Sequence, residues 1–144
     1  MSDTVQKTIT AQQIIGKIIK ALDIYGVPYN IIEATKTLKD YGMDYIDVIP
    51  LIQHLDTVFD LIPGKIADYV DNNRQISFNK NIFPSGFYDN YNDLSVLDLV
   101  CIVCKVKGID APRKALTDLL NKTLITLHKG TQSDLAISAF TKEK

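Results

Sequence analysis

Two cysteines stand three residues apart in the stretch Cys101-Ile-Val-Cys104. Such a pair can hold a metal, if a second pair of ligands stands at a matching spacing. It can cycle as a redox dithiol, if a helix N-terminus lowers the thiol pKa. It can also pack as two small apolar side chains. The chain offers only His54 and His128 to complete a metal set, both distant in sequence. The pair falls in the later half of an apolar helical run, where the helix dipole opposes a thiolate. Core packing is the favoured reading, and neither a metal nor a cofactor is expected.

Asp98 interrupts the same apolar run. Buried, it would be a candidate general acid or base. On a helical wheel it shares a narrow stripe with Ser95 and Lys105, opposite Val96, Val100 and Val103. That placement predicts a solvent strip. His54 is expected on the flank of a helix beside a polar face of Gln53, Asp56, Thr57 and Asp60. His128 is expected at a helix C-terminus, where positive charge is favoured. No nucleophile can be tied to either histidine, so both read as surface residues. The run Asp89-Asn-Tyr-Asn-Asp93 hints at calcium, but Tyr91, Leu94 and Val100 occupy the third, sixth and twelfth positions. An EF-hand needs an oxygen ligand, Gly and Glu there. There is no P-loop, GxGxxG, HExxH or GxSxG motif. An enzyme is therefore the least favoured class, and no catalytic residue is assigned.

The other unusual feature is aromatic. Phe78, Phe83, Phe87, Tyr88 and Tyr91 fall within one stretch of Asn, Pro, Ser and Gly. One reading is a long loop folded onto the core. The other is a contact surface, because aromatic rings dominate interface energetics. Phe83, Phe87, Tyr88 and Tyr91 are the candidate partner-binding residues.

The elements that must position these groups are helical. Thr10 and Gln13 form a capping-box pattern ahead of Ala11, Ile14, Ile15, Ile18, Ile19 and Leu22. This first helix should end near Tyr25, with Gly26 as the left-handed residue after the cap. The longer pattern K-x-L-x-x-Y-G-x-x-Y occurs twice, at Lys20–Tyr29 and Lys36–Tyr45. It predicts two helix–Gly–helix corners. A second helix would run from Pro28 to about Tyr41, with Gly42 ending it and the tyrosines packing across each corner. A third begins at Asp44 or Asp47; Pro50 kinks it in the first case and sits in its first turn in the second. Its apolar face reads Val48, Leu51, Ile52, Leu55, Val58, Phe59 and Ile62, before Pro63-Gly64 breaks it. Lys65 to Val70 can add a short helix, and residues 74–83 a hairpin. Asp93 is the expected cap of a central helix, Leu94 to Lys107, closed by Gly108. Asp110 is the expected cap of the last helix, which runs to about His128.

The 144 residues are 46% hydrophobic, enough for one core. Net charge is −1 but uneven. Residues 40–100 hold ten Asp against Lys65, Arg74 and Lys80, a net of −7, while residues 101–144 carry a net of +4. Opposite ends can attract, within the fold or between copies, so a homo-oligomer is an open expectation. Helices two and three resemble a helix-turn-helix pair by pattern. Yet the would-be recognition helix has Asp44, Asp47, Asp56 and Asp60 and no Lys or Arg, the wrong sign for phosphate. Nucleic acid is not the expected partner. The N-terminus lacks a signal-peptide pattern and the longest apolar run is far short of a membrane span, so a soluble cytoplasmic protein without a membrane partner is expected. Abundant Ile, Asn, Asp, Tyr and Lys point to an AT-rich genome, viral or phage in type.

The expected fold is a mainly α, compact bundle of about five helices with one irregular aromatic and Asn-rich insert. Residues 1–9 read as a flexible N-terminus, 10–130 as a single helical domain with the insert at 71–92, and 131–144 as a polar tail. The expected function is non-enzymatic, through contacts with another protein, as an adaptor, inhibitor or assembly factor. The alternative is a DNA-binding regulator of helix-turn-helix or winged-helix type.

Overall fold

The computed structural model of the chain describes residues 9–73 and 91–129. Among them are five α-helices: α1 (Ala11–Ile24), α2 (Tyr45–Val58), α3 (Lys65–Asn73), α4 (Val96–Val106) and α5 (Arg113–Lys129). Short 3-10 turns occur at Tyr29–Ile31, Lys39–Tyr41 and Tyr91–Asp93. The chain is mainly helical, as its periodicity implies. The hairpin expected at residues 74–83 lies outside the described residues. No helix among the described residues is long and apolar enough to cross a membrane.

Helix α1 forms as its sequence dictates. The Gln13 amide donates to Thr10 Oγ1 at 3.1 Å, and the Thr10 amide donates back to Gln13 Oε1 at 2.9 Å. Its stripe Ile14, Ile15, Ile18, Ile19 and Leu22 is buried. At its end the Val27 amide donates to the Leu22 carbonyl and the Gly26 amide to Asp23, with Gly26 left-handed at φ 93°. This is a Schellman closure. The second copy of the repeat makes the same bonds. Met43 N–H donates to Leu38, Gly42 N–H donates to Lys39, and Gly42 has φ 86°. The repeated motif therefore encodes one chain reversal twice: a buried Leu whose carbonyl is taken by the apolar residue just beyond Gly.

The element before the second reversal is not the expected helix. Residues 28–41 form two single 3-10 turns, with a further turn at Ala34–Thr35 and the bridge residue Thr37 between them. The backbone here is spent on α4. Leu38 N–H donates to Leu94 O at 2.9 Å, Leu97 N–H donates to Ala34 O at 3.0 Å, and Thr37 bridges Ser95. The Leu97 bond satisfies a first-turn amide of α4 that has no partner within its own helix. The tyrosine rings do not pair across the corners either. Tyr25 packs on His54 at 5.7 Å, Tyr29 on His128 at 5.6 Å and Tyr45 on Tyr91 at 5.9 Å.

Two further boundaries move. Ser95, rather than Asp93, caps the central helix, and Asp93 instead pairs with Lys39 at 3.3 Å. The last helix starts at Arg113, with Leu116 N–H donating to Pro112 O. Asp44 is the cap of α2, so Pro50 lies inside that helix.

Helix α4 is buried along Val96–Cys104 without interruption, which makes it the central element. It packs on α1, α3 and α5, while α1 also packs on α2 and α5, and α2 packs on α3. The layers follow from these pairings. Helices α1 and α4 lie in the middle, with α2 and α3 covering one side and α5 the other. One continuous apolar core joins all five.

Candidate functional site

Helix α2 ends at a reversal where Leu61 N–H donates to Asp56 O and Asp60 takes φ 57°. The buried Asp56 carboxylate then reaches forward to the next helix. It accepts from Gly64 N at 2.8 Å and from Ile66 N at 3.1 Å. One residue thus closes α2 with its carbonyl and caps α3 with its carboxylate across Pro63-Gly64. The sequence placed Asp56 on a solvent face; it is only 3% exposed, because two backbone donors substitute for water. The same reversal corrects Ile62. The helical period extended past Val58 makes Ile62 a core residue, but the chain has already turned and Ile62 is 76% exposed.

Between α2 and α3 lies a groove of about 300 Å³. Ile49, Ile52, Leu61 and Ala67 supply apolar walls, Gln53 and Thr57 polar ones, and Tyr91 lies along it. Tyr91 is the described member of the four candidate partner-binding residues; Phe83, Phe87 and Tyr88 lie outside the described residues. It is neither pure core nor free surface. Its ring stacks on Tyr45 of α2 at an interplanar angle of 17°, and its hydroxyl donates to the Asp71 carboxylate of α3 at 3.1 Å. It braces the two helices that form the groove. Around it Ile46 and Tyr45 are exposed, and Asp44, Asp47, Asp60, Asp68 and Asp71 project into solvent. Residues 44–73 hold six Asp against Lys65, a net of −5 with His54 neutral.

A second cavity, about 240 Å³, separates α4 from the start of α5. Cys101, Cys104, Lys105, Asp110 and Arg113 line it. Both thiols are buried, and burial pushes Cys101 up to about 12 and Cys104 up to about 11. At neutral pH they are thiols, poor nucleophiles and poor metal ligands. Among the described residues no three His, Cys, Asp or Glu side chains gather as a metal site. Asp98 stands behind Cys101 and corrects the solvent-strip expectation. It is 4% exposed because it is the third residue of a capping box. Its Oδ2 accepts from Ser95 N at 2.8 Å, and the Asp98 amide donates to Ser95 Oγ at 3.0 Å. Burial raises its pKa to about 7, against the lowering effects of the Ser95 bonds and Arg113. His54 and His128 each lie against a tyrosine ring, Tyr25 and Tyr29 respectively. Neither histidine lines the cavity that Cys101 and Cys104 share.

Compared with protein-family models, with curated proteins and with solved structures, the chain matches none.

Proposed function

We propose that the protein is a non-enzymatic helical module that acts through protein contacts, as an adaptor, inhibitor or assembly factor, with the α2–α3 groove as its contact site. One observation carries this reading: an apolar groove walled by Ile49, Ile52, Leu61 and Ala67, with Tyr45, Ile46 and Ile62 exposed on the same stretch of chain, belongs to a segment, residues 44–73, that holds six Asp and one Lys. An aliphatic side chain seated in such a groove contributes about 1.5–3 kcal/mol when fully buried. The acidic rim selects for a cationic partner and speeds encounter more than it deepens affinity. The fitting partner is therefore a cationic segment carrying an aliphatic anchor. Bracing by Tyr91 supports a groove formed in advance, which lowers the ordering cost of binding.

The alternative, a DNA-binding regulator, draws on α5, where Lys114 and Lys122 are exposed. It is weakened by the loss of the first helix of its helix-turn-helix pair, since residues 28–41 form no α-helix. The two readings separate by titrating isotope-labelled protein with a Lys-rich amphipathic peptide bearing Ile or Leu anchors. The expected result is amide shifts confined to α2, α3 and Tyr91. Ala67→Phe, which fills the groove, is expected to weaken binding by tenfold or more while changing stability by less than about 1 kcal/mol. Shifts confined to α5, or none, contradict the proposal.

A further inference from the structure

We infer that the groove on α2 and α3 takes helix α5 of a second copy of this chain; the inference rests on the contact-site reading above and names its partner. Helix α5 has the required chemistry. It carries Arg113, Lys114, Lys122 and Lys129 against a single Asp118, a net of +3 with His128 neutral. On its outer side Lys114, Asp118, Lys122 and Ile125 are exposed; Lys114 pairs with Asp118 at 3.5 Å, Lys122 is the second lysine on this face, and Ile125 is 56% exposed although large and aliphatic. Lys122 and Ile125 stand three residues apart and so share a helix face. A cationic helix with one projecting aliphatic side chain matches an acidic groove with an apolar floor.

The layer order decides the mode of assembly. Helix α5 packs on both α1 and α4, while on the other side α2 packs on α1 and α3 on α4. A chain cannot place its own α5 in its own groove without dismantling the core. Every copy instead presents one groove and one α5 on opposite sides. The resulting contact is head-to-tail, and it repeats along a row of copies instead of closing as a two-fold dimer. A single helix of 17 residues spans about 26 Å, so the contact lies at the small, salt-sensitive end of protein interfaces.

Sedimentation velocity of the full chain tests the inference, across a wide concentration range at low and high salt. The expected result at low salt is a weight-average sedimentation coefficient that climbs with concentration beyond the dimer, and that falls to monomer at high salt. Two variants then isolate the contact. Ala67→Phe blocks the groove and keeps α5; Ile125→Asp spoils α5 and keeps the groove. Each alone should be monomeric. Mixed in equal amounts, they should form a 1:1 dimer and nothing larger, because one intact α5 meets one intact groove. Asp68→Lys replaces Ala67→Phe if thermal melting shows that variant to be unfolded. A wild-type chain that stays monomeric throughout, or a mixture that does not dimerise, overturns the inference. The contact-site reading is judged separately, by the peptide titration: peptide binding by a strictly monomeric chain removes the second copy as partner and leaves the groove as a site.

Discussion

Asp98 shows how a single side chain can be misread by periodicity. A wheel assigns each polar residue to the water side. The first turn of a helix is different, because its amides need acceptors and a carboxylate can fold back to supply one. Ser95-Val-Leu-Asp98 is a capping-box pattern and was readable as such; the apolar run around it drew the helix start too early. The consequence is a pH dependence of unusual sign. The folded pKa of about 7 lies above the ordinary 3.8, so the folded state holds the proton more tightly than the unfolded chain. The stabilising contribution is complete below the unfolded pKa and is lost as pH rises through about 7. Asp98→Asn carries no charge at any pH and can still accept from Ser95. Chemical denaturation on both sides of pH 7 should show wild type losing stability relative to Asp98→Asn as pH increases. Parallel curves for the two proteins would show that Asp98 is ionised in the fold throughout.

Among elements, the reversals carry more information than the helices. The two K-x-L-x-x-Y-G-x-x-Y copies were legible as corners because Gly at that position is a strong stop signal. The helix expected between them was not correct, for a reason outside local sequence. Ile31, Ile32, Thr35 and Thr37 are β-branched and weakly helical, and the backbone at Ala34 and Leu38 is claimed by the start of α4. Asp56 escaped notice in a similar way, since its partners are amides eight and ten residues ahead. The corner glycines give a direct test. An added Cβ at Gly26 or Gly42 meets nothing within 4 Å, so the cost of substitution is backbone strain alone. Gly26→Ala and Gly42→Ala should each destabilise by about 1–2 kcal/mol, with Asn at either position costing less. Thermal melts of the four variants check this; equal melting of Ala and wild type at both sites contradicts the left-handed corners.

For the whole molecule, the separation of charge was plain in the sequence, and the fold turns it into geometry. The acidic segment becomes α2 and α3 on one side of the α1–α4 layer, and the basic segment supplies α5 on the other. The groove itself was not legible. It depends on Asp56 setting the corner and on Tyr91 bridging Tyr45 to Asp71, contacts between residues far apart in the chain. The most direct test of a protein-contact role is a pair of fluorescence-anisotropy titrations at the same moderate salt. One probe is the labelled Lys-rich amphipathic peptide, the other a labelled DNA duplex of mixed sequence. A protein that works through the α2–α3 groove binds the peptide saturably, loses that binding with Ala67→Phe, and leaves the duplex free. Saturable binding of the duplex with no binding of the peptide contradicts it.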